Sequence, residues 1–301
     1  MKFATVVYDN QSHVVYVDDK NGRVLLLAEA ARKIEDVELG LPNNLADCIK
    51  LGETFIEAVQ KIVDWSETNT EGLYADMHEV IFQAPIPRPA KNIFCVGKNY
   101  AEHALELGSA DDIPEHVMLF SKTPTTVIGD GAEIPSHADL TKELDYEGEL
   151  AVIIGKQGKG INREEALDYV FGYTVLNDIT ARDIQAKHKQ FLLGKSLDGS
   201  CPMGPYIVHK SLVENPGHLD IVTKVNGEVR QQSNTQHFIF PVEEVIEVIS
   251  KGMTLEPGDI IATGTPAGVG KGFKPPKYLK QGDTVEITVQ GVGTLKNTVG
   301  E

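Results

Sequence analysis

From Lys91 onward the chain is a succession of short apolar or alternating segments, each closed by a turn signal. The segments are "NIFCVG", "ELAVIIG", "FGYTVLND", "GPYIVH", "LDIVTKVNGEVR", "GDIIATG" and "DTVEITVQGVGTLKNTV", with turns at Asn226-Gly227, Pro257-Gly258 and Gly291 to Gly293. Alternation of this length marks strands with one face inward, and Asn-Gly closes tight hairpins, so this part is expected to be mostly sheet. Two stretches break the pattern. "REEALDYVFG" carries acids early, and "PVEEVIEVISKG" has Pro then glutamates at its start, a stripe at Val242, Val245, Ile246 and Ile249, and Lys-Gly at its end. Both are expected to be helices.

The first 82 residues read differently. Strand-like "FATVVY" and "HVVYVDD" precede a turn at Asn21-Gly22, then "LLLAEAARKI", "LADCIK" and "ETFIEAVQKIVDWSE" follow, the last with helical spacing at Phe55, Ile56, Val59, Ile62 and Val63. "QAPIPRPAKN" then places three prolines in five residues, which neither a helix nor a central strand tolerates. The expected organisation is a small α+β unit over 1–82, a proline-rich linker over 83–90 and the strand-rich unit over 91–301. A chain of 301 residues has room for one such large domain and a smaller companion.

Charge narrows the partners. With 44 acids against 28 bases the formal net charge is -16, which argues against a nucleic-acid groove or an anionic membrane face. Cys48, Cys95 and Cys201 are odd in number and far apart, so neither a disulfide framework nor a zinc knuckle is expected. The N-terminal "MKFATVVYDNQSH" has no apolar core of signal-peptide length, and no long apolar run occurs, so a cytoplasmic protein is expected.

One stretch stands out chemically. "LDYEGELAVIIGK" sets Asp145, Glu147 and Glu149 at every second position ahead of an apolar run. Side chains on a strand alternate faces, so the three acids point one way. Asp178 arrives at the end of the apolar "YTVLND", before a helix expected to begin near Thr180. Two strand carboxylates with one at a strand end make an all-oxygen site suited to Mg²⁺ or Mn²⁺ rather than zinc. Glutamates on a solvated sheet face would show the same spacing.

"CVGKNYAEHALE", "SKTP", "LDYEGELAVIIGK", "GYTVLNDITARDIQ", "GKSLDGSCPMGPYIV", "VNGEVRQQSNT" and "GDIIATGTPAGVG", in this order, resemble the successive signatures of the fumarylacetoacetate hydrolase superfamily over roughly residues 91 to 301. The resemblance implies an α+β, mostly β architecture with a mixed β-roll catalytic domain, a homodimer, and Mg²⁺- or Mn²⁺-dependent chemistry on small 2-oxo or 1,3-dicarbonyl acids. It puts the metal ligands on Glu147, Glu149 and Asp178 and leaves Asp145 as an outer or structural acid.

The other motif residues are weighed beside that resemblance. His103 and Glu106 lie three apart on a short helix ending at Gly108, so the glutamate can orient the imidazole and raise its basicity. A surface His-Glu pair would have the same spacing, but the similarity to the family's lid motif favours a general-base dyad. The polar "GSADDIPEH" that follows suits a mobile lid whose closure brings His103 to the metal. Lys195 in "GKSLDG" resembles the family's active-site lysine, which would neutralise a substrate carboxylate or developing enolate. Arg182 and Gln185, one turn apart, place a fork donor and an amide near the metal, although Arg182 can instead pair with a neighbouring acid. Thr265, in a glycine-rich turn, and Lys122, in "SKTP", are expected to bind a substrate carboxylate.

Two tempting signals fail. "TGTPAGVGKGF" lacks the glycine and the hydroxyl residue that a phosphate loop needs, with Thr265 and Gly272 in their places. Cys201 has no base nearby in sequence to activate it. The function expected from the resemblance is metal-dependent C–C cleavage in a small 2-oxo acid through a pyruvate enolate, by oxaloacetate decarboxylation or acylpyruvate hydrolysis. The alternatives are an isomerase or tautomerase of an unsaturated 2-oxo diacid, and a catalytically idle fold that binds a protein partner.

Overall fold

The computed structural model describes residues 1–34 and 40–301. Its largest element is a mixed sheet centred on Gly148–Ile154 and Val170–Asn177, antiparallel neighbours that are buried along their whole lengths. On one side the sheet continues through Ile260–Ala262 to Ile93–Gly97, which it meets in parallel, and then to Met118–Lys122. On the other it continues through Cys201–His209. A second sheet of Asp220–Val225, Glu228–Asn234, Thr284–Val289, Gly293–Val299 and Glu133–Ile134 packs over the first. Alternation along Gly148–Ile154 feeds two cores. Leu150, Val152 and Ile154 join the cluster facing the second sheet, while Ala151 and Ile153 join the cluster under the N-terminal helices.

The first 82 residues are built into this sheet. Lys2–Tyr8 pairs with Gln11–Asp18 on one side and with Cys201–His209 on the other, where Lys2 stands opposite Val208. Helix Glu53–Ser66 buries Phe55, Val59 and Ile62, with Ile56 and Val63 only partly covered. The Phe55 ring lies tilted at 5.0 Å from Phe3 and stacked at 6.4 Å from Phe171 of the central strand, so the aromatic contact runs across the junction. The proline-rich stretch is packed too. Ala84 and Ile86 are buried, and Pro85 O accepts a 2.7 Å hydrogen bond from Thr5 Oγ1.

Helix Val242–Gly252 buries Val242, Val245, Ile246 and Ile249, the stripe expected from sequence. "REEALDYVFG" departs from expectation: Arg163–Tyr169 is a 3₁₀ helix, with Ala166 its buried side chain. Ala166, Leu167 and Tyr169 are the side chains that pack on the core, too few to make an apolar stripe at the α period, and the three-per-turn winding lines Ala166 up with Tyr169. The helix expected near Thr180 begins at Arg182, because Thr180–Ala181 first pairs with Leu144–Asp145. Among the described residues no helix is long and apolar enough to cross a membrane.

The N-terminal junction carries a titratable group. His209 donates its backbone N–H to Met1 O, and its ring packs edge-on to Phe171. Burial, then the neighbouring N-terminal ammonium and Lys210, lowers its pKa from 6.5 to about 4. The unfolded chain therefore takes up this proton first as pH falls, so stability is full above 6.5 and erodes between there and about 4. His209→Gln is expected to flatten that part of the profile, read as urea midpoints at about pH 7 and about pH 5.

Candidate active site

The pairing of the two central strands delivers the acids. Gly148 stands opposite Asn177, Asp178 N donates to Glu147 O at 2.8 Å, and Glu147 N donates to the Asn177 side chain at 3.0 Å. Glu147, Glu149 and Asp178 thereby offer one carboxylate oxygen each within 4.8 Å of one another, and all three are buried. Only a glycine fits between the two glutamates, since a Cβ at Gly148 would lie 2.2 Å from Thr223 Oγ1.

Asp145 does not join them. The strand breaks between Leu144–Asp145 and Gly148–Ile154. The Asp145 carboxylate instead accepts from Arg182 Nε at 2.8 Å, Gly270 N at 2.6 Å and Lys271 N at 3.0 Å. Arg182 spans the break, with Nη2 2.7 Å from Glu147 Oε1 and Nη1 donating to Gln185 Oε1 at 3.4 Å. Lys195 Nζ donates to Glu147 Oε2 at 2.6 Å and Asp178 Oδ2 at 2.7 Å, and sits 4.9 Å from the Phe120 ring centre. Lys122 Nζ lies 2.9 Å from Asp178 Oδ1 and donates to Ile179 O, Ser200 Oγ and Lys195 O. This lysine is completely buried against Asp178, so it holds the acid from the rear and, unlike Lys195, does not line the cavity.

The cations divide the acids electrostatically. Burial opposes ionisation of Glu147, but Lys195 and Arg182 outweigh it and hold the carboxyl at about 2. Glu149 goes the other way, pushed well above the usual carboxylate range by burial and then by the charges of Asp178 and Glu147. Its Oε2 accepts from Gly264 N at 2.8 Å. Asp178 Oδ1 is buried with no hydrogen-bond partner of good geometry. Three buried carboxylates crowded within 4.8 Å, one of them with its charge suppressed by its neighbours, fit a hard divalent cation such as Mg²⁺ or Mn²⁺.

Helix Ala101–Leu107 brings the second half of the site. His103 is 5% exposed, its Nδ1 lies 3.3 Å from Glu106 Oε1, and Glu106 Oε2 accepts from Gly268 N at 2.6 Å. A cavity of about 390 Å³ is lined by His103, Glu147, Glu149, Arg182, Gln185 and Lys195 together. His103 stands in that wall with the turn after its helix held down, because Lys98 Nζ meets Asp112 Oδ1 at 2.9 Å and Asp112 caps Ser109 N. Thr265 also lines the cavity, but its hydroxyl donates to Gly148 O at 2.9 Å and accepts from Gln231 Nε2 at 2.7 Å. It therefore supports the strand between the glutamates. Burial pushes the Cys201 thiol up to about 12, which removes it as a nucleophile.

Sequence reasoning missed three residues that assemble this site. Gln231 also accepts from Gly148 N at 3.0 Å, joining the second sheet to the acids. Asn99 bonds Phe240 O and Thr263 O through its side-chain amide and so seats the start of the His103 helix. Gly268 holds Glu106 through its N–H and accepts from Tyr146 through its carbonyl at 2.8 Å. All three act across long sequence separations; the one local signal was their place inside otherwise polar or glycine-rich motif segments.

Residues 92–300 match the profile of the family described as fumarylacetoacetate (FAA) hydrolase C-terminal. Over the full length of both chains the protein is 51% identical to oxaloacetate tautomerase YisK of Bacillus subtilis. The solved fumarylacetoacetate hydrolase of the psychrophile Exiguobacterium antarcticum is 38% identical, with a TM-score of 0.83 over 100% of this chain and 99% of that one. A 2-hydroxyhepta-2,4-diene-1,7-dioate isomerase from Mycobacterium marinum is 31% identical, with a TM-score of 0.72 over 100% and 98%.

Proposed function

The chain belongs to the fumarylacetoacetate hydrolase family, and from that premise we propose that it interconverts the keto and enol forms of a small 2-oxo acid, oxaloacetate or a close analogue. The observation that carries this reading is the convergence of Glu147, Glu149, Lys195 and the His103–Glu106 pair on one small cavity. The full-length likeness to an oxaloacetate tautomerase supports the substrate.

Glu147, Glu149 and Asp178 would hold Mg²⁺ or Mn²⁺, which when bound supplies Lewis-acid polarisation of the 2-oxo group. Lys195 keeps a full ammonium in a buried site, because Asp178 and Glu147 overcome the burial that would lower its pKa, and it faces negative charge developing on the substrate oxygen. With the Nδ1 proton assigned to the Glu106 contact, His103 Nε2 is left as the base that removes the C3 proton in the keto-to-enol direction, while the 2-oxygen takes a proton from water. In the reverse direction it is the acid that returns a proton to C3 as the enol O–H is given up to water. Gly268 fixes Glu106, and Glu106 fixes the imidazole tautomer.

A second reading, C–C cleavage by oxaloacetate decarboxylation or acylpyruvate hydrolysis, is favoured by the same dyad. His103 Nε2 can deprotonate a water as readily as a carbon acid, and a solved relative is named a hydrolase. The deciding measurement follows the enol absorbance of oxaloacetate, and pyruvate release from oxaloacetate and from acetylpyruvate, with Mg²⁺, with Mn²⁺ and with chelator. Enol loss that needs metal and slows by about 10²- to 10⁴-fold in His103→Ala is expected. Pyruvate release matching enol loss would hand the site to the cleavage reading, and no turnover under any metal would sink both.

A further inference from the structure

We infer that Lys189 and Lys271 read a second carboxylate at the far end of the substrate, which makes the cavity selective for dicarboxylic 2-oxo acids; this rests on the 2-oxo acid reading of the site. Five cationic side chains and two carboxylates line the cavity, in a chain where acids outnumber bases 44 to 28. Three of the five already have acids. Arg182 is engaged by Asp145 and Glu147, Lys195 by Glu147 and Asp178, and Lys98 by Asp112. Lys189 and Lys271 have no carboxylate within 4.0 Å among the described residues, and both are exposed, at the cavity's solvent side.

Their backbones are fixed although their side chains reach into solvent. Lys189 follows helix Arg182–His188 at φ 59°, a left-handed position normally taken by glycine or asparagine. A lysine kept there accepts backbone strain and gains an ammonium at the cavity. Lys271 N donates to Asp145 Oδ2, the same carboxylate that anchors Arg182, so the lysine is registered to the acid cluster. The two cations come from different segments and both line this cavity. A volume of about 390 Å³ has room for a short diacid, with the acid cluster of Glu147 and Glu149 and the two ammonium groups all in its wall.

The test compares ligands of equal length that differ at the distal end. Binding of 2-oxoglutarate, 2-oxopentanoate and oxalate to Mg²⁺-loaded protein is measured by titration calorimetry. The native protein is expected to prefer 2-oxoglutarate over 2-oxopentanoate by about tenfold or more. In the Lys189→Asn, Lys271→Met double variant the preference should fall towards unity, with oxalate affinity within about twofold of native. Asn suits the left-handed backbone, so loss of charge is separated from strain at position 189. A preference retained in the double variant, or absent from the native protein, overturns the inference. So does a parallel loss of oxalate affinity, which would mark a structural role. Because the readout is binding, the inference stands or falls even where oxaloacetate turnover is not seen; failure of oxalate itself to bind would sink the head-group reading and the inference with it.

Discussion

Glu149→Gln and Asp178→Asn are expected to part company: both should lose Mg²⁺ affinity, but only the second should weaken the metal-free fold. Ionised Glu149 is disfavoured by burial and by its two acidic neighbours, so its folded pKa is raised above the ordinary 4.5. Such a group supports the fold at low pH and opposes it as pH rises past 4.5, where the unfolded chain ionises first. Glutamine keeps the acceptor for Gly264 N and removes the charge, so the metal-free variant should be as stable as native or more so at neutral pH. Asp178 is different, because Lys122 is completely buried against it. Removing the acid leaves that ammonium with neutral partners, a change of roughly 3–5 kcal/mol. Urea midpoints with chelator and with Mg²⁺ read both effects. Affinity for the ion should fall at least about 100-fold in each variant, since even outer partners of metal ligands are worth about 10- to 100-fold. Equal destabilisation by both substitutions would refute the division of charge described for the site.

Gly268→Ala should be as damaging as the loss of a ligand, although Gly268 carries no chemistry. Its φ is +104°, and a Cβ there would lie 1.9 Å from Arg230 O, a backbone atom that cannot step aside. Strain and overpacking together are expected to remove about 3–5 kcal/mol of stability. Any shift that relieves them pulls the Gly268 N–H off Glu106 and the carbonyl off Tyr146, so the His103–Glu106 pair should lose its seat. Gly291→Ala is the control, with φ +71° and nothing within 4 Å of the added carbon, and should show only about 1 kcal/mol of backbone strain. If Gly268→Ala unfolds like the control and turns over like native, the turn is not the hinge between the two halves of the site.

Much of this site was legible because it is written in local pattern. Alternation put Glu147 and Glu149 on one face, and the i, i+3 spacing put Glu106 beside His103. The same alternation misled at Asp145, since the strand is interrupted at Tyr146 and Glu147 before it resumes at Gly148, and the acid then follows Arg182 and the Gly270 and Lys271 amides. Lys122 could be named from its segment but not placed, because Asp178 lies far away in sequence and only strand order brings them together. Likewise Thr265 was recognisable as a site residue, while the task of its hydroxyl depends on Gln231 from the other sheet. The N-terminal segment shows the same limit, for proline density signals a stretch that is neither helix nor central strand and says nothing of whether that stretch packs.

The pairing of Lys2–Tyr8 with Cys201–His209 bears on how such chains can be recombined. Severing the first 82 residues would bare the Ile207–Val208 end of that strand and the apolar face under the N-terminal helices, an open template for another chain. A graft of a different leading segment would have to match both the strand register and the Phe3, Phe55 and Phe171 contact. Gene fusions and truncations that treat this segment as an interchangeable cassette should therefore yield sticky, self-associating material.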